Sequence, residues 1–167
     1  MRKMNKVVEK VANVSLNILI GIFAVILLVF FYSGFQVKIL KNDYANFFGY
    51  SMFEVQTGSM KSYINAGDWI VLKLTKDVNT NDVITFKQDG NYITHRVIEI
   101  YNGTYITKGD ANDNQDIQPV KWENLCGTVV FSVPYAGYIL KFLGNGKGKG
   151  TVLLFLLAFF LYTEISG

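Results

Sequence analysis

The chain has one cysteine and one histidine among 167 residues, and this scarcity excludes several kinds of site. Cys126 cannot form an internal disulfide and its neighbours supply no activating base, so we predict that it is a small core residue. A zinc site is not expected because there is no CxxC pair and no second histidine. Phosphate-binding motifs of the GxGxxG and Walker types are also absent, so we predict no cofactor.

The chain also has little excess of charge of either sign. The 16 lysines and arginines nearly balance the 13 acidic residues, giving a formal net charge of +3 without a basic run. A nucleic-acid partner is therefore not predicted. The length fits one domain, or one domain with additional anchoring segments.

What the chain does have is a long apolar segment near its N-terminus. No residue between Lys10 and Lys38 is charged. Because about 20 helical residues cross a bilayer core, we predict a transmembrane helix over residues 11–36. This segment is longer than the apolar region of a cleaved signal peptide, and no A-x-A site follows it.

The basic residues before this segment predict its orientation. They are Arg2, Lys3, Lys6 and Lys10. Basic residues favour the cytoplasmic side, so we expect residues 1–10 to form a cytoplasmic tail. Residues 37–143 would then form an extracytoplasmic domain at the cell membrane.

A second apolar segment lies near the C-terminus. Residues 150–163 are 14 uncharged residues, which is short for a full membrane span. For residues 151–163 we expect either a short or tilted membrane helix or an interfacial or buried helix. The preceding residues 144–150 are rich in glycine and lysine and predict a linker.

The middle of the chain has the composition of β-strands. Short β-branched and aromatic runs alternate with Asn, Asp and Gly, which predicts a mostly antiparallel β domain. A short helix is expected over residues 135–143, after Pro134. The predicted strands cover residues 69–74, 83–86, 92–100, 105–108 and 126–133.

One hairpin can be assigned a register. Asn102 and Gly103 are a strong signal for a two-residue type I′ turn. If Tyr101 pairs with Thr104, His95 falls opposite Asp110, unless a bulge shifts the strands. Local geometry therefore nominates Asp110 as the carboxylate beside the histidine.

Ser59, His95 and the two acids Asp110 and Asp116 could together form a serine hydrolase site. A serine hydroxyl needs an adjacent base, and histidine can accept its proton and return it to a leaving amine. A carboxylate on the other ring nitrogen fixes the tautomer of the imidazole. Gly58, before the serine, is expected to allow a tight backbone there.

Three segments resemble the conserved boxes of type I signal peptidases. Residues 57–60 (TGSM) are similar to the nucleophile box, and residues 94–97 (THRV) to the box that carries the base. Residues 107–112 (TKGDAN), with Asp116 beyond them, are similar to the last box of the endoplasmic-reticulum-type branch. Prokaryotic members of that branch occur in Gram-positive bacteria and archaea.

The resemblance implies a role for each of these residues. Ser59 would be the nucleophile, His95 the general base and Asp116 the acid that orients it, with Asp110 a second functional carboxylate. Thr57 would help the backbone N–H of Ser59 to form the oxyanion hole. The chain departs from the family at two positions: Ser62 replaces a usual proline, and Asn81 replaces a common glycine.

The resemblance also implies a fold and a substrate. The fold would be a signal-peptidase-like, mainly β architecture of two antiparallel sheets. The reaction would be removal of signal peptides from exported preproteins at the outer membrane face, beside the bilayer and near the Sec translocon. Small side chains at positions −1 and −3 would enter apolar pockets, for which we nominate Phe53, Ile64 and Ile84.

Two other functions remain open. One is a Ser/Lys protease of related fold, with Lys73 or Lys87 as the base. The other is not an enzyme: it is a membrane-tethered β module, or an inactive homologue, that binds exported chains. Ser59→Ala distinguishes the second alternative, because a binder should survive that change, and His95→Ala distinguishes the Ser/Lys protease.

Overall fold

The structure is a computed structural model and describes residues 6–166. The chain divides into two compact units. One comprises the segments up to Ala45 and from Lys141 onward, and the other comprises Asn46–Leu140.

The N-terminal segment is a single long helix. Helix α1 spans Lys6–Gly34 and continues as a π-helical turn over Phe35–Ile39. Within residues 6–166, the stretch Asn13–Ile39 is the one helix that is long and apolar enough to cross a membrane. Its 27 residues correspond to about 40 Å of helix, which exceeds a bilayer core of about 30 Å. The apolar helix thus ends three residues beyond the predicted span of 11–36.

Two further helices follow the β domain. Helix α2 spans Ala136–Gly144 and helix α3 spans Gly146–Ser166, so residues 146–150 are helical where we expected a linker. The Asn145 side chain accepts a hydrogen bond from Gly148 N at 2.8 Å and so caps the start of α3. At Gly148 a Cβ would lie 1.9 Å from Phe142 O, so this glycine allows a close backbone approach. A membrane location for residues 151–163 stays a prediction.

Seven antiparallel strands form one sheet. The strands are β1 Tyr50–Glu54, β2 Trp69–Lys73, β3 Val83–Gln88, β4 Asn91–Tyr101, β5 Thr104–Lys108, β6 Val120–Lys121 and β7 Leu125–Val133. Their order across the sheet is β1-β2-β7-β3-β4-β5-β6. We expected two sheets, but β7 pairs with β2 on one side and with β3 on the other and joins all strands. Register shifts interrupt both of these pairings, and such bulges bend and twist a sheet locally.

Apolar side chains from β3, β4, β5, β6 and β7 form the main core cluster. Burying such a side chain contributes about 1.5–3 kcal/mol each. Cys126 is also buried at 7% exposure, as predicted for a small core residue. The cluster consists of Ile84, Phe86, Val97, Tyr105, Val120 and Leu125.

The hairpin between β4 and β5 turns where the sequence predicted. Asn102 and Gly103 have φ values of 48° and 73°, as a type I′ turn requires, and Tyr101 pairs with Thr104. The register then shifts between Val97 and Glu99, so that Val97 pairs with Thr107. This bulge places the far end of the hairpin one residue out of the ideal register, close to His95.

Candidate active site

Ser59 lies in a turn between β1 and β2. The turn is anchored by Met60 and Ile64, which are 1% and 0% exposed, and Ile64 N donates to Met60 O at 2.8 Å. The Ser59 hydroxyl oxygen is 3.4 Å from Thr57 Oγ1. Anchoring by buried neighbours therefore holds a surface serine in a defined position.

The backbone explanation that we gave for Gly58 is wrong. Gly58 does not have a positive φ, and a Cβ added there would meet nothing within 4 Å. The left-handed residue of this turn is instead Ser62, with φ of 84°. Proline is restricted to φ near −65°, so the usual family proline could not adopt this backbone.

His95 lies on β4, where it is 7% exposed. Its Nδ1 atom is 2.6 Å from Asp116 Oδ2. An ionised carboxylate can only accept hydrogen bonds, so the proton of a neutral imidazole belongs on Nδ1. The second ring nitrogen, Nε2, then carries the lone pair that a general base needs.

Asp116 is held in place from strand β5. Thr107 Oγ1 donates to Asp116 Oδ2 at 2.6 Å, and Asp116 N donates to Thr107 O at 2.8 Å. Thr107 is fully buried. Thr107 belongs to the TKGDAN segment noted in the sequence, but no role could be assigned to it there, because an isolated hydroxyl on a strand gives no signal of its own.

Asp110 does not contact His95. Its two carboxylate oxygens accept hydrogen bonds from Arg96 Nε at 2.9 Å and from Nη2 at 2.7 Å. Arg96 Nη1 also donates to Asn81 O at 2.9 Å, and the guanidinium lies 4.9 Å from the Tyr63 ring centroid. The hydrogen bond to Asp110 raises the pKa of Arg96. The hairpin register therefore nominated the wrong acid, because the bulge breaks the pairing before it reaches His95.

The loop that carries both acids also touches the serine turn. Ala111 N donates to Ser59 O at 2.8 Å. A Cβ on Gly109 would lie 2.7 Å from the same Ser59 oxygen, so only glycine allows this approach. The loop therefore fixes the backbone of Ser59 and the carboxylate of Asp116 together.

A cleft of about 630 Å³ runs past these residues. Ser59, His95, Thr57 and Phe53 all line it, which brings together four of the residues selected from the sequence. Within the described chain no hydrogen bond joins Ser59 Oγ to His95, and such bonds often tighten only once substrate is bound. The remaining lining residues are Glu54, Val55, Gln56, Thr85, Asn91, Tyr92, Ile93, Thr94 and Asn112.

Two of the three proposed pocket residues lie elsewhere. Neither Ile64 nor Ile84 lines the cleft; both are fully buried, and Ile84 belongs to the main core cluster. The apolar pattern could not separate them from Phe53, which does line it and contacts the Tyr92 ring at 5.0 Å between centroids.

The two candidate lysine bases are not in the cleft. Lys73 is an exposed residue at the end of β2, and Lys87 Nζ lies 5.9 Å from the Tyr92 ring centroid. Neither lines the cleft beside Ser59. Among residues 6–166, no group of three or more His, Cys, Asp or Glu side chains could hold a metal ion.

Comparison with known proteins identifies a related peptidase. No protein-family model matches the chain. The chain is 42% identical over 86 residues to signal peptidase I W of Bacillus subtilis (strain 168), a match that covers 47% of this chain and 45% of that protein. The chain thus spans about half the length of the curated relative that it matches. This similarity supports a type I signal peptidase family, and the antiparallel sheet with its N-terminal apolar helix is consistent with a signal-peptidase-like fold.

Proposed function

We propose that the protein is a membrane-bound serine endopeptidase that removes signal peptides from exported preproteins at the outer face of the membrane. One observation carries the proposal: the hydrogen bond of 2.6 Å from His95 to Asp116, in a cleft that Ser59 also lines. The relative from Bacillus subtilis is named a signal peptidase, which supports the same reaction here.

Ser59 acts as the nucleophile in this mechanism. Its Oγ attacks the carbonyl carbon of the scissile peptide bond while Nε2 of His95 takes the hydroxyl proton. The imidazolium that forms is stabilised by Asp116, which lies 2.6 Å from Nδ1. His95 then gives the proton to the leaving amine, and water hydrolyses the acyl-enzyme by the same proton transfers.

The negative charge on the substrate oxygen needs hydrogen-bond donors. We assign the backbone N–H of Ser59 to this role, with the hydroxyl of Thr57 as its neighbour in the cleft. Thr57 Oγ1 lies 3.4 Å from Ser59 Oγ, which supports the position of this hydroxyl beside the nucleophile. Asp110 is not part of the proton transfer, since its carboxylate is engaged by Arg96.

The proposed location follows from the N-terminal helix. The helix anchors the protein in the bilayer with its N-terminus in the cytoplasm, and the β domain meets preproteins outside, near the Sec translocon. A protease added to intact protoplasts should therefore cut the turn at Asn102. Protection of that turn until the cells are lysed would contradict this orientation.

The central experiment is cleavage of a reporter preprotein by the purified full chain in detergent. We expect wild type to release the signal peptide and Ser59→Ala to bind the reporter without cleaving it. Lys73→Ala and Lys87→Ala are the matched controls and should keep their activity. A binder without activity would give no cleavage in wild type either, whereas loss in a lysine variant alone would favour the Ser/Lys mechanism.

Removal of the imidazole gives a second test of the base. Without His95 no group beside Asp116 can take the proton of Ser59, so His95→Ala should strongly lower kcat/KM. A His95→Ala variant that remained fully active would overturn the assignment.

A further inference from the structure

Two threonines face each other beside the candidate base. Thr85 on β3 pairs with Thr94 on β4, one position before His95, and their hydroxyl oxygens are 2.8 Å apart. This is an ordinary distance for a hydrogen bond between hydroxyl groups. Both residues line the cleft that contains Ser59 and His95.

Burial decides which hydroxyl is the donor. Thr85 is fully buried, whereas Thr94 is partly exposed. Within the part of the chain that the structure describes, each of these hydroxyls has the other as its hydrogen-bond partner. If Thr94 donated, the proton of Thr85 would be buried without an acceptor, which is costly. Thr85 therefore donates to Thr94, and the proton of Thr94 remains available to the cleft.

We propose that Thr94 is a specificity-determining residue that selects serine among the small side chains which signal peptides present to the cleft. The inference rests on the proposed function. Neighbouring cleft residues such as Phe53, Val55 and Ile93 offer apolar contact, which does not distinguish a serine from an alanine by hydrogen bonding. A serine hydroxyl can accept the free proton of Thr94, whereas an alanine leaves that proton without a protein partner.

The test uses reporter preproteins that differ only by Ala or Ser at position −1, and a second pair that differs at position −3. The measured quantity is the ratio of kcat/KM for the Ser reporter to that for the Ala reporter. In at least one pair, Thr94→Val should lower this ratio about fivefold, the effect of one neutral hydrogen bond. Thr94→Ser keeps the hydroxyl and should keep the ratio. Thr85→Val should keep it too, because the Thr94 proton still faces the cleft.

Thr94→Val leaves the buried hydroxyl of Thr85 unpaired, so we expect this variant to be less stable than wild type. The double variant Thr85→Val/Thr94→Val removes both hydroxyls, which is close to neutral for folding, and should show the same lowered ratio. An unchanged ratio in both Thr94→Val and the double variant overturns the inference. An equal loss of rate for the Ser and Ala reporters overturns it as well, because Thr94 would then bind the substrate backbone.

Failure of the proposed function can be recognised separately. If wild type cleaves no reporter, the peptidase proposal fails independently of the results for the Thr85 and Thr94 variants. Binding of fluorescent Ser and Ala peptides to Ser59→Ala protein then tests the selection by Thr94 without catalysis. A preference for the Ser peptide that disappears in Ser59→Ala/Thr94→Val supports the inference, and equal binding of both peptides overturns it.

Discussion

Asp110 and Asp116 belong to one loop, yet their surroundings differ completely. Their side chains are almost equally exposed, at 22% and 20%, so burial of the carboxylate does not distinguish them. Their hydrogen-bond partners do distinguish them. The carboxylate of Asp110 binds the guanidinium group of Arg96. The carboxylate of Asp116 binds the ring of His95 and the hydroxyl of Thr107. The guanidinium of Arg96 keeps its charge and holds Asp110 in a two-point ion pair, whereas Asp116 is placed to orient the imidazole of His95.

The largest expected effect separates these two roles directly. Asp116→Asn should lower kcat/KM by about 10⁴, because an amide can hold the imidazole in the wrong tautomer, as in known triads. Circular dichroism should show a folded protein, since the amide is nearly isosteric with the carboxylate. Near-normal turnover of Asp116→Asn would mean that the 2.6 Å contact with His95 has no catalytic role.

Thr107 tests how firmly Asp116 must be held. Thr107→Val removes one hydrogen bond to Asp116 Oδ2 while filling the same buried space. We expect kcat/KM to fall about tenfold, which corresponds to one hydrogen bond to a charged group. Thr107→Ser retains the hydroxyl and should retain most of the rate. Equal rates for the Val and Ser variants would show that the backbone bond from Asp116 N to Thr107 O is sufficient.

Asp110 should affect stability more than rate. Asp110→Asn breaks a two-point ion pair that is partly exposed, so the free energy of unfolding should fall by about 1–2 kcal/mol. The value of kcat/KM should fall less than tenfold. Because the pKa of Arg96 is raised in the folded protein, its ion pair contributes its full stabilisation at any pH below the ordinary titration range of arginine. Every pH that suits the assay lies below that range.

A double-mutant cycle isolates this pair. Urea unfolding of Asp110→Asn, Arg96→Gln and the double variant should give a coupling energy of about 1 kcal/mol. A folded Asp110→Asn variant with no detectable cleavage would instead move the catalytic role to Asp110, as the hairpin register suggested.

The elements with a strong pattern could be predicted from the sequence. Five strands and the helix after Pro134 have bounds within about two residues of those expected, because period-two apolar runs and turn residues agree there. Strand β1 was missed because its five residues depend on pairing with β2, and β6 was missed because it has only two residues. Short strands are determined by tertiary pairing, which local composition does not report.

The residues of the site could be predicted where the residue type indicated the chemistry, and could not be predicted where the assignment depended on geometry. Ser59 and His95 were identifiable by residue type and by family resemblance, and the structure brings both to one cleft. The partner of His95 could not be derived from hairpin register, since the bulge after Val97 has no clear sequence signature. Ile64 and Ile84 were misassigned because a buried core position and an apolar pocket wall have the same composition.

The smallest expected effect concerns the backbone beside Ser59. Ser62 has φ of 84°, where a side chain costs about 1–2 kcal/mol relative to glycine, while glycine costs about 0.5–1 kcal/mol of extra chain entropy. Ser62→Gly should therefore raise the free energy of unfolding in urea by about 0.5 kcal/mol. The hydrogen bonds of Asp116 and Asp110 should not change. Ser62→Pro, which introduces the residue usual in type I signal peptidases, should destabilise the protein by more than 1 kcal/mol, on the order expected for proline at an incompatible φ. Asn81, at φ of 76°, is the matched control beside Arg96, and Asn81→Gly should gain less because asparagine tolerates this conformation. A stable and active Ser62→Pro variant would show that the turn can adopt the family backbone, and the strain at Ser62 would then have no influence on Ser59.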